Sequence, residues 1–142
     1  MVVNNYNYKA IVDNTKRRDI INKPMPKKEK RPWGKFKIIH QEPEITIKII
    51  TVNPNQRLSL QSHNLRDEVW LLLNGSGFCE IDGINYTFTH KTLYIIPVSK
   101  KHRLNASWEG IRILEISFGE FNEKDIVRYE DDYDRLKAPS KT

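Results

Sequence analysis

The sequence predicts an all-β domain, an antiparallel sandwich or barrel, and three observations carry that expectation. From Trp33 onward apolar residues recur with a period of two rather than 3.6. The runs are short and evenly punctuated by turn sequences, the spacing of sandwiches and barrels. Strands do not alternate with long helical stretches and there is no glycine-rich phosphate loop, which excludes dinucleotide-binding and P-loop architectures.

Each element follows from its own stretch. ITIKIITV (45–52) alternates β-branched and polar residues as a half-buried strand does. EVWLLL (68–73), GFCEID (77–82), NYTFTH (85–90), TLYIIP (92–97), HRLNAS (102–107) and IRILEISF (111–118) continue in the same manner. They are separated by NPNQ, NGSG, DGIN, PVSKK and WEG, all turn-forming. Asp82-Gly83 between two alternating runs is a strong short-range hairpin signal. Two stretches read as helical: residues 8–22, weakly, and NEKDIVRYEDDYDRL (122–136) near the C-terminus. This organisation gives a flexible basic N-terminal arm (1–30), a folded part (31–136) and a short tail (137–142).

A chain of 142 residues with 38% hydrophobic and 30% charged residues fits one globular domain with a single core. No apolar run approaches the ~20 residues of a membrane span. The N-terminal MVVNNYNYKAIVDN lacks a signal-peptide layout, so a cytoplasmic location and no membrane partner are expected. The net charge of +6 resides in residues 1–32, with nine Lys or Arg against three Asp or Glu, while residues 33–142 hold fifteen of each. The basic character therefore belongs to the arm, KPMPKKEKRP above all, and no nucleic-acid partner is expected. The single cysteine, Cys79, can form neither an internal disulfide nor a cysteine-based zinc site and reads as a packing residue.

Chemistry concentrates in SLQSHNLRDEVW (59–70). On a strand, side chains i and i+2 share a face, so Ser59, Gln61 and His63 point together. The HNLR corner brings Glu68 back beside His63, and His102 reaches the same place if the sheet folds over on itself. An amide oxygen, two imidazoles and a carboxylate form an N/O donor set suited to Zn2+, and also to Fe2+, Mn2+ or Ni2+. On spacing alone, ordinary polar residues at a strand end are the competing explanation, and His40 and His90 are read as surface residues.

NQRLSLQSHNLRDEVWLLLNG resembles the first motif of the cupin superfamily, with Gln61 in place of that motif's first histidine, and TLYIIPVSKKHRLN resembles the second. More narrowly, RPWGKF, LSLQSH, RDEVW, IPVSKKHRL and EISFGEFNEKDIVRYEDDYDR are similar to the C-terminal cupin domain of type II mannose-6-phosphate isomerases. That domain often follows a mannose-1-phosphate guanylyltransferase domain in the family; no nucleotide-binding motif is found here, so GDP-mannose synthesis is not expected of these residues. The resemblance implies a cupin jelly-roll β-barrel (double-stranded β-helix) with a short C-terminal helix. It also implies a divalent metal, zinc in first place, on Gln61, His63, Glu68 and His102, aldose–ketose isomerisation of a sugar phosphate, and a homodimer. The chain departs from the family pattern at Asn55 and Ser99, where glycine is usual, and at Val69, where a histidine commonly follows the glutamate.

Interconversion of mannose 6-phosphate and fructose 6-phosphate moves a proton between C1 and C2 through an enediolate, which calls for oxyanion stabilisation, a base and cationic phosphate partners. Arg66, between two expected ligands, is the catalytic candidate, since guanidinium pairs well with phosphate or an enediolate oxygen. Lys100, Lys101 and Arg103 flank His102 and, with Arg57, are the substrate-binding candidates. Glu80 and Glu115 are carboxylates whose strand face the sequence does not fix. The alternatives are a non-catalytic sugar or sugar-nucleotide binding module and a metal-dependent dioxygenase on the same barrel.

Overall fold

The computed structural model describes residues 27–136; the helix expected over 8–22 and the tail from 137 lie outside them. Among the described residues there are nine strands: β1 (Lys27–Arg31), β2 (Gly34–Glu42), β3 (Ile45–Val52), β4 (Leu60–Ser62), β5 (Arg66–Ile81), β6 (Ile84–Thr87), β7 (Leu93–Ile96), β8 (His102–Gly119) and β9 (Val127–Glu130). Every pairing is antiparallel. The order runs β1-β2-β3-β8-β4-β9, and β5 pairs with β8 while carrying β6 and β7. The result is a curled antiparallel sheet of cupin type. No helix among the described residues is long and apolar enough to cross a membrane.

The spine is the pairing of β5 with β8, which extends from Arg66 opposite Gly119 to Ile81 opposite His102. Residues directly opposite on an antiparallel pair point to the same face, so the registers of β5, β8 and β3 define rows across the inner surface. These rows are Glu68–Ser117–Thr46, then Trp70–Glu115–Lys48, then Leu72–Ile113–Ile50. The inner face thus changes along the strands from polar to apolar. The apolar rows continue into a core containing Trp33, Phe36, Val52, Leu58, Cys79 and Leu104; the polar rows make the site. Trp33 and Trp70 are both buried.

β3 alternates strictly, but its phase turns Thr46 and Lys48 inward with Ile50 and Val52, and leaves Ile45, Ile47 and Ile49 half-buried on the outside. The β5–β6 turn places Asp82 and Gly83 at φ 51° and 81°, the positive pair that a two-residue hairpin requires. Asn55 and Ser99 also adopt left-handed backbone, φ 59° and 67°, so the conformation usual for glycine is kept without glycine. At Ser99 it is held in place: the amide donates to the His63 carbonyl at 2.7 Å and the hydroxyl to Asn64 Oδ1 at 2.9 Å.

The C-terminal helix is a single 3-10 turn, Glu123–Asp125, with the Asn122 side chain accepting from the Lys124 amide. Residues 127–130, read as helical from sequence, instead form β9 on the edge of β4. Strand pairing there outweighs local helix propensity. Likewise Lys27–Lys30, inside the segment expected to be arm, belongs to β1 and pairs with β2.

Candidate metal centre

His63 stands at the corner after β4, Glu68 lies near the start of β5, and His102 opens β8. The Asp125 carboxylate accepts the backbone amides of Asn64 and Leu65 at 3.0–3.1 Å and fixes that corner. Ligand-type atoms of His63, Glu68 and His102 lie within 4.8 Å of one another. Glu68 Oε1 is 3.2 Å from His63 Nε2, and Oε2 is 3.6 Å from His102 Nε2. All three side chains are only 1–2% exposed. Yet His63 Nε2, Glu68 Oε2 and His102 Nε2 have no aligned hydrogen-bond partner. The 3.2 Å approach is close enough for a hydrogen bond but not directed as one. Buried polar atoms are ordinarily satisfied; three left open, facing one another, fit a divalent cation.

The tautomers suit that role. His102 Nδ1 lies 2.9 Å from the Lys100 carbonyl oxygen; donating its proton there leaves the Nε2 lone pair directed at Glu68, the outer contact typical of metal-binding histidines. Burial lowers the His63 pKa to about 3, with the His102 and Arg66 charges adding to the effect, so its ring is neutral near pH 7 and its nitrogen available.

Gln61 is directly opposite His102 in register and so shares its face; its Oε1 accepts from Ser59 at 2.8 Å. Arg66 Nε donates to Glu68 Oε1 at 3.0 Å, its guanidinium rests on the Phe121 ring, and its Nη1 is buried without a partner. Glu115 completes the inner surface. Its Oε2 accepts the Trp70 indole proton at 3.0 Å, and Oε1 is 3.7 Å from Lys48 Nζ. Burial, reinforced by the Glu68 charge, raises the Glu115 carboxyl above the usual carboxylate range, against the pull of Lys48 and Arg66. Lys48 itself is only 7% exposed, with its ammonium over the Phe121 ring.

These groups enclose a cavity of about 60 Å³, lined by Gln61, Lys48, Arg66, Glu68 and Glu115 and bordered by Arg31, Arg128 and Arg135. The other sequence candidates lie elsewhere. Arg57 forms a two-point ion pair with Asp132 at the surface. Lys100 pairs with Asp82, Lys101 lies over the Tyr129 ring, and Arg103 pairs with Glu130. None of the four lines the cavity; Lys101 and Arg103 adjoin the inward His102 and so face away from it. Glu80, opposite Arg103, is also absent from the lining.

Apart from Arg66, the cations that do line it were not singled out from sequence. Lys48 carried a signal, a lysine in phase with Thr46 and Ile50. Arg128 carried none, because its placement opposite Gln61 depends on β9 being a strand.

Fold and site together define a cupin domain with a His2Glu cluster. The chain belongs to the family described as mannose-6-phosphate isomerase C-terminal, which it matches over residues 19–131. It is 35% identical over 107 residues to the mannose-1-phosphate guanylyltransferase of Klebsiella pneumoniae, covering 74% of this chain and 23% of that protein. It is 35% identical over 112 residues to the alginate biosynthesis protein AlgA of Pseudomonas aeruginosa, covering 78% and 23%. The chain thus spans about a quarter of the length of these relatives. Solved structures share the fold at low identity. Streptomyces PAC13 with uridine has a TM-score of 0.65 at 12% identity, covering 74% of this chain and 85% of that one. The capsular polysaccharide assembling protein CapF of Staphylococcus aureus has a TM-score of 0.66 at 16% identity, covering 77% and 34%.

Proposed function

We propose that this domain interconverts mannose 6-phosphate and fructose 6-phosphate, in the cytoplasm, with a divalent cation, zinc in first place, held by His63, Glu68, His102 and Gln61. The observation that carries the reading is the set of three open, buried ligand atoms beside a cavity whose lining combines Lys48, Arg66 and Arg128 with Glu68 and Glu115. Family membership supports the sugar-phosphate assignment.

A bound divalent cation supplies Lewis acidity to the sugar oxygens beside it. The remaining work falls to the chain. Arg66 Nη1, buried and unpartnered, donates to an oxygen of the developing enediolate. Glu115 Oε1 carries the proton between C1 and C2, while the Trp70 indole holds Oε2 and Lys48 compensates its charge. Arg31, Arg128 and Arg135 at the border receive the phosphate. A cavity of about 60 Å³ accepts the reacting end of the sugar and not a whole hexose phosphate, so the phosphate stays among these arginines.

Proton transfer is tested in deuterated water. The wild-type enzyme incorporates solvent deuterium into the sugar, and Glu115→Gln lowers both turnover and exchange by about 10²–10⁴-fold. Full activity in that variant contradicts the role of Glu115.

A further inference from the structure

On the outer face of the sheet, away from the metal centre, register sets cations directly against cations. Lys28 lies opposite Lys37 and Lys30 opposite Lys35. The second of these rows continues from Lys35 through Thr51 to Arg112. Side chains directly across an antiparallel pair have Cβ atoms about 5 Å apart, and like charges placed so work against the fold. Elsewhere on the surface the chain gives its cations carboxylate partners: Lys27 pairs with Glu29, Arg57 with Asp132 and Lys100 with Asp82. Among the described residues, Lys28, Lys30, Lys35, Lys37 and Arg112 have none.

Two ordinary explanations fall short. Lysines on an outermost strand guard against edge-to-edge pairing, which accounts for those on β1 but not for Lys35, Lys37 and Arg112, whose strands are paired on both sides. The rest of the chain does not supply the missing acids either. Residues 1–26 hold five Lys or Arg against two Asp or Glu, and residues 137–142 hold two lysines and no acid. The repulsion is therefore uncompensated within the chain. It is also concave: Lys28, Lys35, Lys37 and Arg112 surround a depression of about 400 Å³ that includes Ile49 and Thr51, a size proper to a small-molecule site.

We propose that this depression binds a small oligophosphate, a triphosphate chain either free or carried by a nucleotide. Such a chain presents anionic oxygens to all four lining cations at once, which a single phosphate cannot do. Arg112 takes two oxygens with its planar fork, and the lysines act as point charges around it. Thr51, half-buried between Lys35 and Arg112, adds a hydroxyl donor. The bound anion turns the repulsion between facing lysines into attraction to a shared ligand, so binding stabilises this edge of the sheet. An acidic protein segment suits a strip of cations along a surface, whereas the lining cations here converge on one depression. The inference is independent of the isomerase reading, since none of these four cations lines the cavity at the metal centre.

Isothermal titration calorimetry of the full 142-residue chain in metal-free, low-salt buffer tests it. Inorganic triphosphate and adenosine triphosphate are each expected to bind once per chain, about 10-fold or more tighter than inorganic phosphate. Equal affinity for the two assigns the site to the free anion and tighter binding of the nucleotide to a nucleoside triphosphate; either supports it. Lys35→Gln/Lys37→Gln should weaken triphosphate by about 10-fold or more, whereas Arg128→Ala, at the metal-centre cavity, should leave its affinity unchanged. Thermal unfolding gives a second readout. Without ligand the double lysine variant unfolds at a higher temperature than wild type, because two like-charge pairs are gone; triphosphate raises the wild-type midpoint and leaves that of the variant where it was. No binding of either triphosphate, equal affinity for inorganic phosphate, or undiminished affinity in the double lysine variant overturns the inference. So does binding of a polyglutamate peptide without binding of triphosphate, which gives the face to an acidic protein partner instead.

Discussion

Arg66 and Glu68 share one buried contact: the guanidinium Nε donates at 3.0 Å to Oε1, the oxygen that also stands 3.2 Å from His63 Nε2. Two residues apart on β5, they face the same way, and each is 2% exposed. The arginine therefore orients the Glu68 carboxylate with Nε, while its Nη1 is buried without a protein partner. Arg66→Lys keeps the charge and loses the fork. Turnover should fall by about 10²–10³-fold, as on removing an oxyanion donor, with metal content per chain unchanged. Wild-type turnover in that variant contradicts the role.

His63 and His102 come from different motifs and meet only through the fold, with ring centroids 4.6 Å apart. Replacing either by alanine should lower metal affinity more than ~100-fold, beyond what loss of an outer-contact residue does. Metal analysis after dialysis reads this directly. Stoichiometric metal in both variants would refute the ligand assignment.

The Trp70–Glu115 hydrogen bond ties the apolar core to the polar site. Trp70→Phe keeps most of the packing but leaves Glu115 Oε2 without its donor. The expected loss is about 1–3 kcal/mol of unfolding free energy, the penalty for an unsatisfied buried group, measured by urea titration. No change in the urea midpoint speaks against the contact.

pH dependence in the metal-free protein follows from His63. Its pKa is lowered by burial from 6.5 to about 3 in the folded state, so the unfolded chain binds the extra proton. The sign is then fixed: this stability is present above pH 6.5 and is lost as pH falls from there toward 3. The slope contribution reaches about 1.4 kcal/mol per pH unit. His63→Gln should flatten the stability profile across this window relative to wild type. A parallel profile contradicts the buried, neutral histidine.

Much of the fold was legible because its determinants are local. Period two marked the strands and Asp82-Gly83 marked the β5–β6 hairpin; spacing left the metal reading of Gln61, His63, Glu68 and His102 open, the family resemblance favoured it, and the structure gathers His63, Glu68 and His102 within 4.8 Å. What escaped depends on tertiary context. β9 carries a helix-like composition and becomes a strand only because the β4 edge is there to receive it. Its misassignment concealed Arg128, which shares a row with Gln61 and His102. The choice of Lys100, Lys101 and Arg103 followed proximity in sequence to His102, which on a strand selects the wrong face for 101 and 103. Lys48 and Glu115 lie far apart in sequence, and only the register of β3 with β8 places them side by side.

Metal-dependent isomerisation at the His63–Glu68–His102 site can be tested in one experiment. The most direct measurement is a coupled assay of the purified chain with mannose 6-phosphate, run with zinc, with manganese and with a chelator. Formation of fructose 6-phosphate that the chelator abolishes and added metal restores is the predicted result. Folded, metal-loaded protein with no turnover under any of these ions would contradict the account and leave a domain that binds its sugar without converting it.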